Sequence, residues 1–144
     1  MHIPVKILKV HPDAIIPEYK TSGACAFDLS PVEDAAFAPG ETKLVGTGLV
    51  FCFPPGHVLV VAPRSSLFRK KGLVQPHSIG IVDQDYCGPD DEVKMLLKND
   101  SDVPVTIARG ERVCQGLFFP VVHAAFEEVS SMDAPTRGGY GSTG

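Results

Sequence analysis

Hydrophobic and polar positions along this chain come in short bursts, and glycine or proline closes nearly every one. The segments "VKILKV", "TKLVGTGLVFCF", "HVLVVA", "SIGIV", "EVKMLLKN", "VPVTIA" and "RVCQGLFFPVV" are rich in β-branched and aromatic residues, and several repeat with period two. That period sends alternate side chains to opposite faces of a strand, one face toward a core and the other toward solvent. Between the segments stand "APGE", "FPPGH", "KNDSD" and "ARGE", which supply the residues that turns require. A helical period sustained over about ten residues is missing. Only "PRSSLFRKKG" predicts a short helical turn.

This pattern predicts an all-β fold, a distorted β-barrel or jelly-roll-like sandwich of antiparallel strands, in one domain over residues 1–129. No internal repeat is present. Residues 130–144 differ: "SSMDAPTRGGYGSTG" is small, polar and glycine-rich. Two roles are open for this flexible tail. One is a disordered terminus. The other is a lid whose glycines let backbone amides approach a phosphate, while Arg137 and Tyr140 meet a charged or planar ligand.

Composition narrows the classes. With 144 residues and a hydrophobic fraction of 44%, the chain can bury the core of about one domain and is not a disordered protein. Thirteen Lys and Arg against 17 Asp and Glu give a net charge of −4, so nothing general draws it to nucleic acid. An anionic ligand therefore calls for a local positive cluster. No apolar run approaches the ~20 residues of a membrane span. The opening "MHIPVKILKV" alternates like a strand and lacks the features of a signal peptide, so a cytoplasmic location is expected. The four cysteines, Cys25, Cys52, Cys87 and Cys114, form no C-x-x-C pair and are expected to be buried free thiols. The five histidines are scattered and suggest no metal cage.

Four stretches carry candidate chemistry. "APRSSLFRKKG" puts Arg64 beside two hydroxyls, Ser65 and Ser66, with Arg69, Lys70 and Lys71 close behind. The bland reading of this charge is a solvated helix face. "GACAFDLSP" sets Asp28 in apolar surroundings, where an acid needs an arginine or a cation. "GERVCQGLFF" sets Arg112 and Gln115 in an otherwise apolar strand. "GIVDQDYCG" places Asp83, Asp85 and Tyr86 together after a β-leaning run. There is no phosphate-binding G-x-x-x-x-G-K-[ST] loop and no G-x-S-x-G elbow.

In order, "GACAFDL", "PRSSL", "GIVDQDYCG", "GERVCQGL" and "RGGYGSTG" resemble the five motifs of the trimeric dUTP pyrophosphatase (dUTPase) family, from about Ile16 to Gly144. The resemblance implies hydrolysis of dUTP to dUMP and pyrophosphate, by water attack on the α-phosphate with Mg2+ bound to the triphosphate. Asp83 matches the family's water-activating aspartate, and a positioned carboxylate suits a general base. Tyr86 matches the ring under the deoxyribose, where it excludes a 2′-hydroxyl. Arg64, Ser65 and Ser66 match the phosphate-binding motif, Arg64 also balancing charge with Asp28 or the phosphates. Gln115 matches a phosphate-contacting glutamine. Asp28 matches the acid that helps to hold magnesium through water. The resemblance implies that uracil is read mainly by main-chain groups of the hairpin holding Gly80, Ile81 and Val82, with His77 where many members have asparagine. Arg137 would reach the γ-phosphate and Tyr140 would stack on uracil, with Gly141 and Ser142 in the same motif. A homotrimer with shared sites is implied: motifs one, two and four from one subunit, motif three from a second and the tail from a third.

Departures accompany the match. Cys87 stands where arginine is common, and "CGPDDE" adds two residues. Arg137 and Tyr140 are only three apart, and Ser66 replaces a common glycine. "RSSL" with a histidine before the third motif also resembles dCTP deaminases of the same fold. Their catalytic glutamate is expected at the end of "EVKMLLKN", where this chain has lysine and asparagine. A non-catalytic nucleotide-binding module is the other alternative. Finally, a flat strand cannot aim Asp83 and Tyr86 into one pocket, so "DQDY" should bend or bulge, leaving Asp85 to support the loop or pair with a base.

Overall fold

A computed structural model describes residues 2–139. Among them are eleven strands and one short helix: β1 (Lys6–Lys9), β2 (Phe27–Leu29), β3 (Ala35–Phe37), β4 (Thr42–Gly46), β5 (Leu49–Cys52), β6 (His57–Pro63), α1 (Leu67–Lys71), β7 (Leu73–Val74), β8 (Gly80–Val82), β9 (Lys94–Asn99), β10 (Val105–Ile107) and β11 (Cys114–Pro120). The fold is the expected all-β jelly-roll-like one. Each segment read as a strand contains one, and "PRSSLFRKKG" contains the helix. Three short strands, β2, β3 and β7, lie outside the segments that the hydrophobic pattern marks. "TKLVGTGLVFCF" holds two strands because Gly48 turns the chain at φ +67, packed so that a Cβ would lie 2.7–2.8 Å from Val32, Ala14 and His11.

Every pairing is antiparallel. The largest sheet runs β2-β11-β6-β8, a second runs β4-β9-β7, and β1-β5 and β10-β3 form pairs. Alternation sends Leu29, Leu59, Val61, Cys114, Leu97, Met95 and Phe51 into the shared core. Phe27 anchors one end of it, 5.9 Å from the Phe51 ring and 5.7 Å from that of Phe118. Gly116, opposite Phe27 in the register, leaves the space this ring fills. Replacing Phe27 by alanine would remove roughly 3–5 kcal/mol.

The register of the large sheet positions the site. Gln115 lies opposite Asp28 on one side and Ala62 on the other. Because their neighbours Phe27, Leu29, Cys114 and Gly116 face the core, Asp28 and Gln115 share the outer face.

Two expectations need correction. Of the cysteines only Cys114 is buried; Cys25 and Cys52 are exposed and Cys87 is half-buried. Cys52 ends β5, exposed where the three residues before it are all buried. The basic run is also not uniformly solvated. Arg69 and Lys70 are exposed, but Lys71 reaches back to the Glu111 carboxylate at 3.1 Å and the Thr106 carbonyl at 2.9 Å. Beyond Pro120, residues 121–139 form no strand or helix, and Val122 and Phe126 are 96% and 97% exposed. No helix among the described residues is long and apolar enough to cross a membrane.

Candidate active site

The acid of "GACAFDLSP" is doubly paired. Asp28 Oδ1 accepts from Arg64 Nε at 2.9 Å and Oδ2 accepts from Arg112 at 3.0 Å. The Asp28 side chain is 16% exposed, so these charge-assisted bonds are partly shielded from water. Two guanidinium groups against one carboxylate leave one net positive charge on this face. In an acidic protein that is the local cluster an anion requires. Arg64 is held at the end of β6: its N–H donates to the Val113 carbonyl at 3.1 Å, and one guanidinium nitrogen donates to the Arg112 carbonyl at 3.3 Å. Its own carbonyl accepts the Leu67 N–H as the chain turns into α1. Ser65 is exposed, and Ser66 sits at the helix N-cap without using its hydroxyl as a cap. Gln115 donates to the Pro63 carbonyl at 3.3 Å, which aims its amide along the same edge. Arg112, given no role by the sequence, is the second arginine that meets the need of Asp28 for a positive partner.

The "DQDY" stretch does bend. Beyond β8 the Tyr86 N–H donates to the Asp83 carbonyl at 3.2 Å, closing a tight turn with Gln84 and Asp85 at its centre. Asp83 and Tyr86 therefore stand at the two ends of one turn, and Asp83 is exposed. The loop is supported by Gln84, not by the Asp85 carboxylate: Gln84 Oε1 accepts the Gly56 N–H at 2.7 Å. Asp85 contributes its carbonyl to the Cys87 N–H and forms no ion pair among the described residues. The Tyr86 hydroxyl donates to the Glu92 carbonyl at 3.2 Å, and Glu92 Oε1 accepts the Gly48 N–H at 2.8 Å. The extra residues thus end in a clamp on the tyrosine. Within them the Gly88 N–H donates to Asp91 at 2.7 Å. The Cys87 thiol is pushed above its ordinary range by desolvation, by its contact with Cys52, and by Asp91 and Asp85.

Before β8, Ser78 takes a left-handed φ of 68, an unusual setting for a residue with a side chain, and its N–H donates to the Gln75 carbonyl at 2.9 Å. His77 is exposed on this turn and Gly80 begins the strand. Gln75, which no motif marks, is buried beneath.

One chain does not bring all these groups together. Pairing of β8 with β6 sets Val82 opposite Leu59, and continuing that register sets Asp83 opposite Val58. From there to Arg64 is six residues along the sheet, roughly 20 Å at about 3.3 Å per residue. The arginine face and the Asp83 turn are therefore separate stations on one protomer.

The comparisons with known proteins fit this geometry. A family model described as dUTPase matches residues 12–144. The chain belongs to the dUTPase family. It is 42% identical to a deoxyuridine 5′-triphosphate nucleotidohydrolase of Nautilia profundicola, over 97% of this chain and 98% of the relative. It is 43% identical to a protein of the same name from Lactococcus lactis, over 90% and 87%. The crystal structure of the dUTPase from Streptococcus mutans superposes with a TM-score of 0.78 at 32% identity, covering 85% of this chain and 98% of that one. The dUTPase of Staphylococcus bacteriophage 80alpha, at 20% identity and a TM-score of 0.88, shares the fold.

Against the dUTPase pattern, Arg137 is exposed, and Tyr140, Gly141 and Ser142 lie outside the described residues. No group of three or more His, Cys, Asp or Glu that could hold a metal occurs among the described residues. Asp28 already gives each carboxylate oxygen to an arginine, which does not suit direct coordination. A carboxylate has about four lone-pair positions, so Asp28 can still accept from water on a hydrated cation. The deaminase alternative loses ground at the end of β9. Asn99 there is fully buried, donating to the Phe37 and Val103 carbonyls and accepting from Ser101. It is a structural amide.

Proposed function

We propose that this chain is a dUTP diphosphatase that hydrolyses dUTP to dUMP and pyrophosphate by water attack on the α-phosphorus. The observation that carries this reading is the tight turn with exposed Asp83 and Tyr86 at its ends, in a chain of the dUTPase family. Asp83 takes the proton of the attacking water as general base. Arg64, freed in part from Asp28 by the arriving phosphates, and Gln115 hold the transferring group, with Ser65 and Ser66 at its flank. Tyr86 lies under the deoxyribose, and uracil meets His77 and the backbone of Gly80, Ile81 and Val82. A hydrated Mg2+ on the triphosphate, touching Asp28 through water, would offset phosphate charge and fix its shape.

The site is shared in a homotrimer. The roughly 20 Å between Asp83 and Arg64 in one protomer supports the approach of a second subunit's turn to the first subunit's arginine face. The nearly fully exposed Val122 and Phe126 support a third contact, because such side chains are ordinarily covered. Residues 1–129 then act as the catalytic barrel and 130–144 as the tail that closes the site, with Arg137 on the γ-phosphate and Tyr140, Gly141 and Ser142 over the nucleotide. Free thiols are consistent with the cytoplasm.

Incubation with each deoxynucleoside triphosphate and Mg2+ tests the reaction. Pyrophosphate from dUTP alone is expected. Ammonia from dCTP would replace this reading by deamination, and binding without turnover would replace it by a nucleotide-binding module. Mixing two inactive variants, Asp83→Asn and Arg64→Ala, after joint refolding tests the sharing. Recovered activity is expected; a monomer mass by light scattering with no recovery would overturn it.

A further inference from the structure

Beneath the His77 turn lies a hydrogen-bond chain that neither the reaction nor the family motifs call for. Gln75 is 6% exposed, and its amide nitrogen donates to the Val61 carbonyl at 3.1 Å. A carbonyl only accepts, so this bond fixes which end of the amide is nitrogen. The opposite end receives the thiol of Cys114 at 3.9 Å. Burial pushes that thiol up to about 12, so it stays a donor throughout the neutral range. The remaining N–H of Gln75 faces His77 Nε2 at 3.3 Å. Both contacts sit above Gly80, where a Cβ would lie 3.5 Å from the amide nitrogen and 3.7 Å from His77 Nε2.

We propose that Gln75 is a positioning residue that holds His77 in its neutral Nδ1–H tautomer, so that the exposed ring offers a bound pyrimidine a donor and no acceptor. A proton on Nε2 would set two N–H groups head to head. The lone pair must therefore face Gln75, and in a neutral imidazole the proton then resides on Nδ1. A donor selects a ring carbonyl oxygen, as in uracil, and leaves an exocyclic amine, as in cytosine, without a partner. Rejection by an unpartnered polar group is stronger than rejection by apolar fit. The asparagine common at this position in the family can turn its amide end for end; a histidine pinned from below cannot. The base-reading half rests on the dUTPase proposal, and the tautomer half does not.

Long-range 15N–1H correlation of the substrate-free, full-length protein tests the tautomer, with His77→Asn identifying the His77 signals among the five histidines. Nδ1–H is expected; Nε2–H or an even mixture in the unmodified chain would overturn the proposal. Gln75→Met keeps the shape and removes the donor. The mixture should then appear, and KM for dUTP should rise by the inverse of the Nδ1–H fraction that remains, about twofold to fivefold, with kcat unchanged. In the His77→Asn background Gln75→Met should leave KM unchanged. An equal rise there would mean that Gln75 acts only through folding, and would overturn the positioning role. The expected tautomer in a protein that does not turn over dUTP would overturn the base-reading half alone, which separates the two failures.

Discussion

The arginine face and the Asp83 turn differ in how their side chains are held. On the face, Asp28, Arg64 and Gln115 ride on β2, β11 and the end of β6, where ladder register sets each position and opposite charges meet at 2.9–3.0 Å. Around the turn no ladder reaches Asp83 or Tyr86. Their places depend on single bonds from side chains to distant backbone: Gln84 to Gly56, Tyr86 to Glu92 and Glu92 to Gly48. The face is pre-organised by the fold, whereas the turn is pre-organised by side-chain ties, two of them from Gln84 and Glu92, which have no chemistry of their own.

The largest effect should follow from the group that is functional and not structural. The Asp83 side chain accepts no hydrogen bond among the described residues; only its carbonyl is used. Asp83→Asn should lower kcat by ~10²–10⁴-fold, the usual contribution of a general base. Its unfolding free energy should stay within about 0.5 kcal/mol of the parent, as for an ordinary surface change. Steady-state kinetics beside a urea titration reads both. A stability loss above about 1 kcal/mol would mean that the two regions are not held differently after all.

Asp28→Asn should do both kinds of damage. It removes the charge that binds two guanidinium groups, leaving Arg64 and Arg112 facing each other across a neutral amide. A loss of about 1–3 kcal/mol is expected from orphaned, partly buried polar partners, visible as a lower urea midpoint. Activity should fall too, because Arg64 would no longer be aimed. Unchanged stability would show that water already screens the triad.

This contrast also explains what could be read from the sequence. "FDL", "PRSSL" and "CQG" announce the face because an acid, a base and an amide interrupt apolar runs, where a charge or an amide needs a partner. The bend in "DQDY" was legible once the family resemblance paired Asp83 with Tyr86, since a flat strand cannot aim both at one pocket. Its supports were not. Gln84 reaches 28 residues back to Gly56, and Glu92 reaches 44 residues back to Gly48; no local pattern encodes either bond. Gln75 was invisible for the same reason, its partners being Val61, fourteen residues away, and Cys114, 39 away. The exposed cysteines were not legible because cysteine packs as a small hydrophobe, and only the fold shows Cys25 outside a strand and Cys52 at the open end of one.

A smaller effect should come from Tyr86→Phe. The ring remains, so discrimination between dUTP and UTP should persist, but the bond to the Glu92 carbonyl disappears. One exposed hydrogen bond contributes about 0.5–1.5 kcal/mol, so kcat/KM should fall less than about tenfold. Loss of sugar discrimination would mean that the hydroxyl, and not the ring, guards the 2′ position.

The smallest effect, and the most local, should follow Gln84→Ala. It removes a side-chain hydrogen bond between the turn and the β5–β6 connection, about 1 kcal/mol of local stability. Global unfolding should hardly register this, since the core strands are untouched. Cysteine alkylation can. In the parent at pH 8, exposed Cys25 should label first and half-buried Cys87, its thiol held protonated by desolvation and nearby carboxylates, more slowly. Cys114, pushed up to about 12 beneath the arginine face, should not label until the protein unfolds. Gln84→Ala should speed Cys87 about fivefold, the exponential of that lost tie, and leave Cys114 silent. If Cys114 accelerates as well, the turn and the sheet open as one unit, and the division between a ladder-held face and a tether-held turn fails.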